Sequence, residues 1–180
     1  MHIPEKNVSL SPEQHAMLRQ YRRMWLTEID LEEAKGAIEE ILKRDLRRSS
    51  IHPPTPLLQS LTTALIVAYA RPFVLSRGDP HFADRTVPGS LLKVLTPLEQ
   101  KLHEHLISIR NKEVAHSDAD VTEVSLELLN GGHGGICMVT RAPFNRTQLR
   151  LLLRMIGKLQ NELERRFELL RGQLPLNVWL

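Results

Sequence analysis

The chain has 180 residues, with 24 lysines and arginines against 21 aspartates and glutamates for a formal charge of +3, and a single cysteine. That length suits one domain spanning residues 1–180 with an ordinary core. One cysteine, Cys137, excludes an internal disulfide and points to a reducing, cytoplasmic setting, and no apolar run reaches the length of a membrane span. The start of the sequence has neither the basic residues nor the apolar segment of a secretory leader, so a non-exported protein without a membrane partner is expected. A mild positive charge permits a polyanion partner without requiring one, while 4% aromatic residues argue against stacking platforms for single strands.

Helix starts are plainly punctuated. Ser11-Pro12-Glu13-Gln14 supplies an N-cap, a first-turn proline and a glutamine at the third position, predicting a helix over 12–29. Asp30-Leu31-Glu32-Glu33 repeats that capping chemistry and predicts a second helix over 31–47. Pro53, Pro54 and Pro56 make 49–55 an extended connector; Thr55-Pro56 opens a third helix over 56–70, which Pro72 ends or kinks. Residues 76–88 are rich in turn formers and read as a crossing loop. The loop could present Arg77, His81 or Arg85 beside the helix that follows, although a plain connector is the commoner use of such a segment. A short turn is expected over 89–95.

Thr96-Pro97-Leu98-Glu99 opens the next helix, predicted over 97–115, on which Leu98, Leu102, Leu106 and Ile109 form the stripe that buries a helix against a core. Past Ile109 that face turns polar. At about 100° per residue Glu113 and His116 fall on the stripe's arc and Arg110 on its edge, where a helix built only for packing would carry Leu or Ile. Because a buried polar group costs free energy unless partnered, this end either reaches solvent or lines a polar pocket or interface. Residues 121–128 then alternate, 130–135 are glycine-rich and 136–140 return, the pattern of a β-hairpin over 121–141. The glycines lack the GxxxxGK[ST] pattern of a phosphate loop and read as a turn. Asn145 or Thr147 caps a final helix reaching 170, whose Leu149, Leu152, Leu153, Ile156, Leu159, Leu163, Phe167 and Leu170 form a broad apolar stripe expected to pack along the 97–115 helix. The expected fold is therefore mainly α, an up-down bundle of about five helices with one hairpin before the last.

The segment Arg110-Asn111-Lys112-Glu113-Val114-Ala115-His116, flanked by Leu106-Ile107-Ser108-Ile109 and Ser117-Asp118, resembles the signature of the HEPN superfamily, in particular its abortive-infection and toxin-type members. The likeness covers about residues 101–120. It implies a HEPN-like bundle, a homodimer in which motif residues of two protomers face each other across a shared site, RNA as substrate or ligand, and an antitoxin or defence-system partner. Metal-independent RNA cleavage needs a base for the ribose 2′-OH, an acid for the leaving oxygen and a fixed cation for the phosphate. His116 is the candidate acid and base, Arg110 the phosphate clamp, and Asn111 orients the phosphate or His116. Lys112, Arg77 and Arg71 are candidate substrate-binding cations. Val114 and Ile107 lie on a second apolar edge that suits either a partner subunit or the monomer's own core, and Glu113 at i+3 can hold or neutralise Arg110.

No metal or other cofactor is expected: His103, His105, His116, His133 and Cys137 form no recognised ligand spacing. Two readings stand at this stage: a metal-independent endoribonuclease of toxin or phage-defence type, or a catalytically silent HEPN-like module binding RNA, a nucleotide or a protein. A third use of the Arg and His, tying the helix end to the hairpin or the last helix, also remains.

Overall fold

The computed structural model describes residues 10–47, 54–76, 78–114, 123–129, 132–138 and 144–174. Helix α1 runs unbroken over Pro12–Lys43. Ser11 Oγ accepts from Gln14 N–H at 3.2 Å and Gln14 Oε1 accepts from Ser11 N–H at 2.9 Å, the reciprocal capping box that its sequence announces. The expected break at Asp30 does not occur, and residues 12–29 and 31–43 are one helix. The reason lies in the buried face: Tyr21, Met24, Thr27, Leu31, Ala34, Ile38 and Ile41 recur at spacings of three and four straight through position 30. An N-cap side chain contributes only about 1 kcal/mol, less than the hydrogen bonds and burial that a break would forfeit. The Asp30 carboxylate instead accepts from Arg71 Nη1 at 3.1 Å. The rod ends where Asp45 takes a left-handed backbone (φ 51°) and Leu46 N–H reaches back to the Ile41 carbonyl at 3.0 Å, the long bond of a Schellman turn. Glycine usually sits there, and aspartate is among the few other residues that tolerate it.

Thr55 caps α2 (Pro56–Ala70). Pro72 then stops the α-helical ladder, and Arg71–Phe73 tighten into a 3₁₀ turn. The described part of the loop that follows docks back on α1. Arg22 lies over the Phe82 ring at 4.5 Å, Arg19 pairs with Asp84 at 3.6 Å, and Asp84 N–H donates to the Arg19 carbonyl at 3.4 Å. A 3₁₀ turn over Gly89–Val94 leads into α3 (Pro97–Ile109), whose capping box pairs Thr96 with Glu99. The continuous α-helix expected as far as 115 stops at Ile109. Arg110–Val114 form a π-helical turn, in which hydrogen bonds span one residue more than in an α-helix.

Strands Glu123–Leu129 (β1) and Gly132–Met138 (β2) pair antiparallel, Glu123 opposite Met138 and Leu129 opposite Gly132. The return strand thus starts inside the glycine-rich run, not after it as the sequence suggests. Asn145 caps α4 (Arg146–Arg171) through a capping box with Gln148. The class is mainly helical.

Packing fixes the directions. Lys158 on α4 meets Glu99 near the start of α3 at 2.8 Å, and Phe144 at the entry to α4 meets the His105 ring at 6.3 Å, so α3 and α4 run antiparallel. Against expectation, α4 packs more extensively on α1 than on α3. Its Leu152, Met155, Ile156, Leu159 and Leu163 are fully buried, with Leu31, Ile38, Leu65, Tyr69, Leu91 and Leu106 from the elements around it. Leu102, Leu106 and Ile109 of the predicted α3 stripe join this core, but Leu98 does not: it is 64% exposed. It occupies the first turn of α3, where the cap and not the core sets the chain's direction. Among the described residues the side chains of Arg23 and Glu99 are buried despite their charge. Arg23 donates from Nη2 to the Arg71 carbonyl at 2.8 Å, fastening the end of α2 to α1. Burial pushes the Glu99 carboxyl up, but the Lys158 ammonium and the Thr96 donors outweigh it and hold the group below its usual range. Among the described residues no helix is long and apolar enough to cross a membrane.

Candidate functional site

Helix α3 is anchored at its start by the Thr96–Glu99 box and in its middle by Leu102 and Leu106, and it therefore delivers Arg110 at a fixed end of the bundle. There the helix widens. Arg110 is half-buried and donates from Nη1 to Asn111 Oδ1 at 3.0 Å, while Asn111 and Lys112 are exposed. Among the described residues no carboxylate pairs with the Arg110 guanidinium. Several other arginines do pair with carboxylates: Arg71 with Asp30 and Glu33, Arg146 and Arg47 with Asp45, Arg165 and Arg166 with Glu162. The two guanidiniums at Glu162 hold its carboxyl down to about 2. The Asn111 amide is a neutral partner and does not itself offset the charge of the Arg110 guanidinium.

His116 and Arg77 lie outside the described residues, as do the side chains of Glu113 and Val114. Asn111 and Lys112 share the π turn with Arg110. Arg71 does not join them. It follows α2, and its guanidinium is turned to α1, 3.1 Å from Asp30 and 2.7 Å from Glu33. Tyr69, two residues before it, touches His103, and Arg110 lies about 10 Å further along α3 at 1.5 Å per residue. His81 and Arg85 belong to the loop docked on Arg19 and Arg22 of α1, about 28 Å along that helix from Ile41, at whose end Phe144 and His105 meet. The structure therefore makes the loop an anchor on α1.

One buried titratable pair escaped the sequence reading. Tyr69 is fully buried and its hydroxyl lies 2.9 Å from His103 Nδ1, with the Phe73 ring edge-on to the imidazole at 4.7 Å. Burial pushes the His103 imidazole below its usual range, partly offset by the Glu104 carboxylate, and burial drives the Tyr69 phenol far up. The signal was available in the spacing, since His103 lies at i+4 from buried Glu99 and i−3 from buried Leu106. No group of three potential metal ligands clusters among the described residues. Comparison with protein-family models, with curated proteins and with solved structures returns no match.

Proposed function

We propose that this chain is a metal-independent endoribonuclease of the toxin or phage-defence type, with a composite site built at a homodimer interface from Arg110 and His116 of both protomers. The observation that carries the reading is the setting of Arg110. A core-packed helix delivers a guanidinium to a π turn, a device frequent at functional sites, and among the described residues only the Asn111 amide holds it. In this reading Arg110 clamps the phosphate as charge builds on its oxygens. His116 takes the 2′-OH proton and returns a proton to the leaving 5′ oxygen, the two histidines of the dimer dividing the roles. Asn111 fixes the guanidinium plane, and exposed Lys112 meets the flanking backbone. Arg71 belongs to the α1–α2 joint, so its removal affects stability before RNA binding.

RNA cleavage measured in the presence of a chelator tests this. Wild type is expected to cleave, His116→Ala to lose on the order of 10²–10⁴-fold and Arg110→Ala to lose activity comparably, while Arg71→Ala retains it when folded. Equal rates for wild type, Arg110→Ala and His116→Ala would remove the proposed site. RNA binding without cleavage by all of them would leave the binding-module reading in its place.

A further inference from the structure

At the end of α1 a cavity of about 400 Å³ opens between the last turn of α1, the first turn of α2 and the entry to α4. That volume lies within the range of small-molecule sites. Ile41, Leu58, Leu149 and Phe144 form apolar walls, and Arg47 and Arg146 stand at the rim. Between those two arginines sits the carboxylate of Asp45. It accepts from Arg47 Nε at 3.0 Å and Nη2 at 2.7 Å, and from Arg146 Nη1. Asp45 reaches that position from the left-handed turn that ends α1. Two guanidiniums facing one carboxylate leave a net positive charge at the rim of this cavity, whose apolar walls are interrupted by Thr62, Asn145 and Gln148, and each guanidinium has five N–H donors to offer.

We infer that this cavity binds a small aliphatic monocarboxylate, tail against Ile41, Leu58 and Leu149 and head on Arg47 and Arg146. Asp45 is the chain's own occupant of the head position and competes with the ligand for it. The Ile41, Leu58 and Leu149 walls favour a flexible alkyl tail, and the Asp45 ion pairs show that both arginines can face one carboxylate. The site involves neither Arg110 nor His116 and is independent of the RNA reading.

Titrating the full-length protein with octanoate, followed by methyl NMR of Leu58 and Leu149, tests the inference, with octan-1-ol and acetate as probes lacking the head and the tail. Octanoate is expected to shift these methyls and to bind at least about fivefold more tightly than either control. Arg47→Gln and Arg146→Gln should each weaken it by about threefold to fivefold, the range of part-exposed charge pairs. Asp45→Asn should tighten it by a similar factor. Octanol binding as well as octanoate would reduce the site to an apolar hollow, acetate binding as well would reduce it to a surface charge pair, and either result overturns the proposal, as does absence of methyl shifts at millimolar octanoate. Arg146 opens α4; if its variant does not fold, Arg47→Gln decides, and unchanged affinity in that variant is again a refutation.

Discussion

Replacing Tyr69 with Phe removes one hydroxyl from a fully buried site and leaves His103 Nδ1 without its 2.9 Å partner. A typical hydrogen bond contributes about 1 kcal/mol net, but a buried group left unsatisfied costs about 1–3 kcal/mol, so a loss near 2 kcal/mol is expected. For a chain of this size each kcal/mol moves the melting temperature by about 2–4 °C, which makes the expected drop about 4–8 °C. The same pair predicts a pH dependence. Burial holds His103 below its ordinary range in the fold, so the unfolded chain binds more protons as pH falls through the ordinary histidine value of about 6.5. Stability from neutral His103 is complete above that value, declines below it and stops declining once the native group itself protonates. Urea midpoints of wild type and His103→Leu, measured between pH 8 and pH 5, isolate this contribution: the difference between the two proteins should change across that interval. A Tyr69→Phe variant within about 0.5 kcal/mol of wild type, or a His103→Leu variant with an unaltered pH slope, would refute the reasoning.

Glu32→Pro tests the continuity of α1. In a helix newly capped by Asp30, proline in the first turn would be tolerated, whereas in the interior of Pro12–Lys43 it should cost about 3 kcal/mol or more, read from the urea midpoint against Glu32→Ala. Gly36 and Gly157 lie inside α1 and α4, and an added methyl group at either would meet nothing within 4 Å. Gly36→Ala and Gly157→Ala should therefore each stabilise by about 0.5–1 kcal/mol, measurable as a raised melting temperature.

The helix starts at Ser11, Thr55, Thr96 and Asn145 were readable because capping is local: a side chain three residues from its target needs no tertiary information. Asp30 misled for the same reason. Its residue type and its following glutamates match a cap, and only the uninterrupted burial from Tyr21 to Ile41, together with Arg71 waiting on another helix, shows that it serves a different partner. The return strand was placed late because glycine is a poor strand former, while the register is set by backbone pairing across the two strands. At the candidate site, the polar turn after Ile109 was visible in the failing apolar stripe. Its π-helical form was not, since a wheel drawn at a constant angle assumes the very ladder that changes at Arg110. Arg71 was drawn to the site by charge alone, and its two carboxylate partners lie about 40 residues away in the chain, beyond any local pattern. The cavity at the end of α1 has no local signature because its walls come from three separate helices.

The uninterrupted first helix, 32 residues and therefore about 48 Å long, works as a ruler through the molecule. The Phe82 anchor sits about a third of the way along it and Asp45 just past its far end, with no joint in the ruler between them. Spin labels at exposed Glu13 and Lys43 should keep one separation with or without carboxylate, and any motion that couples the two ends would be borne by the shorter helices sliding along it.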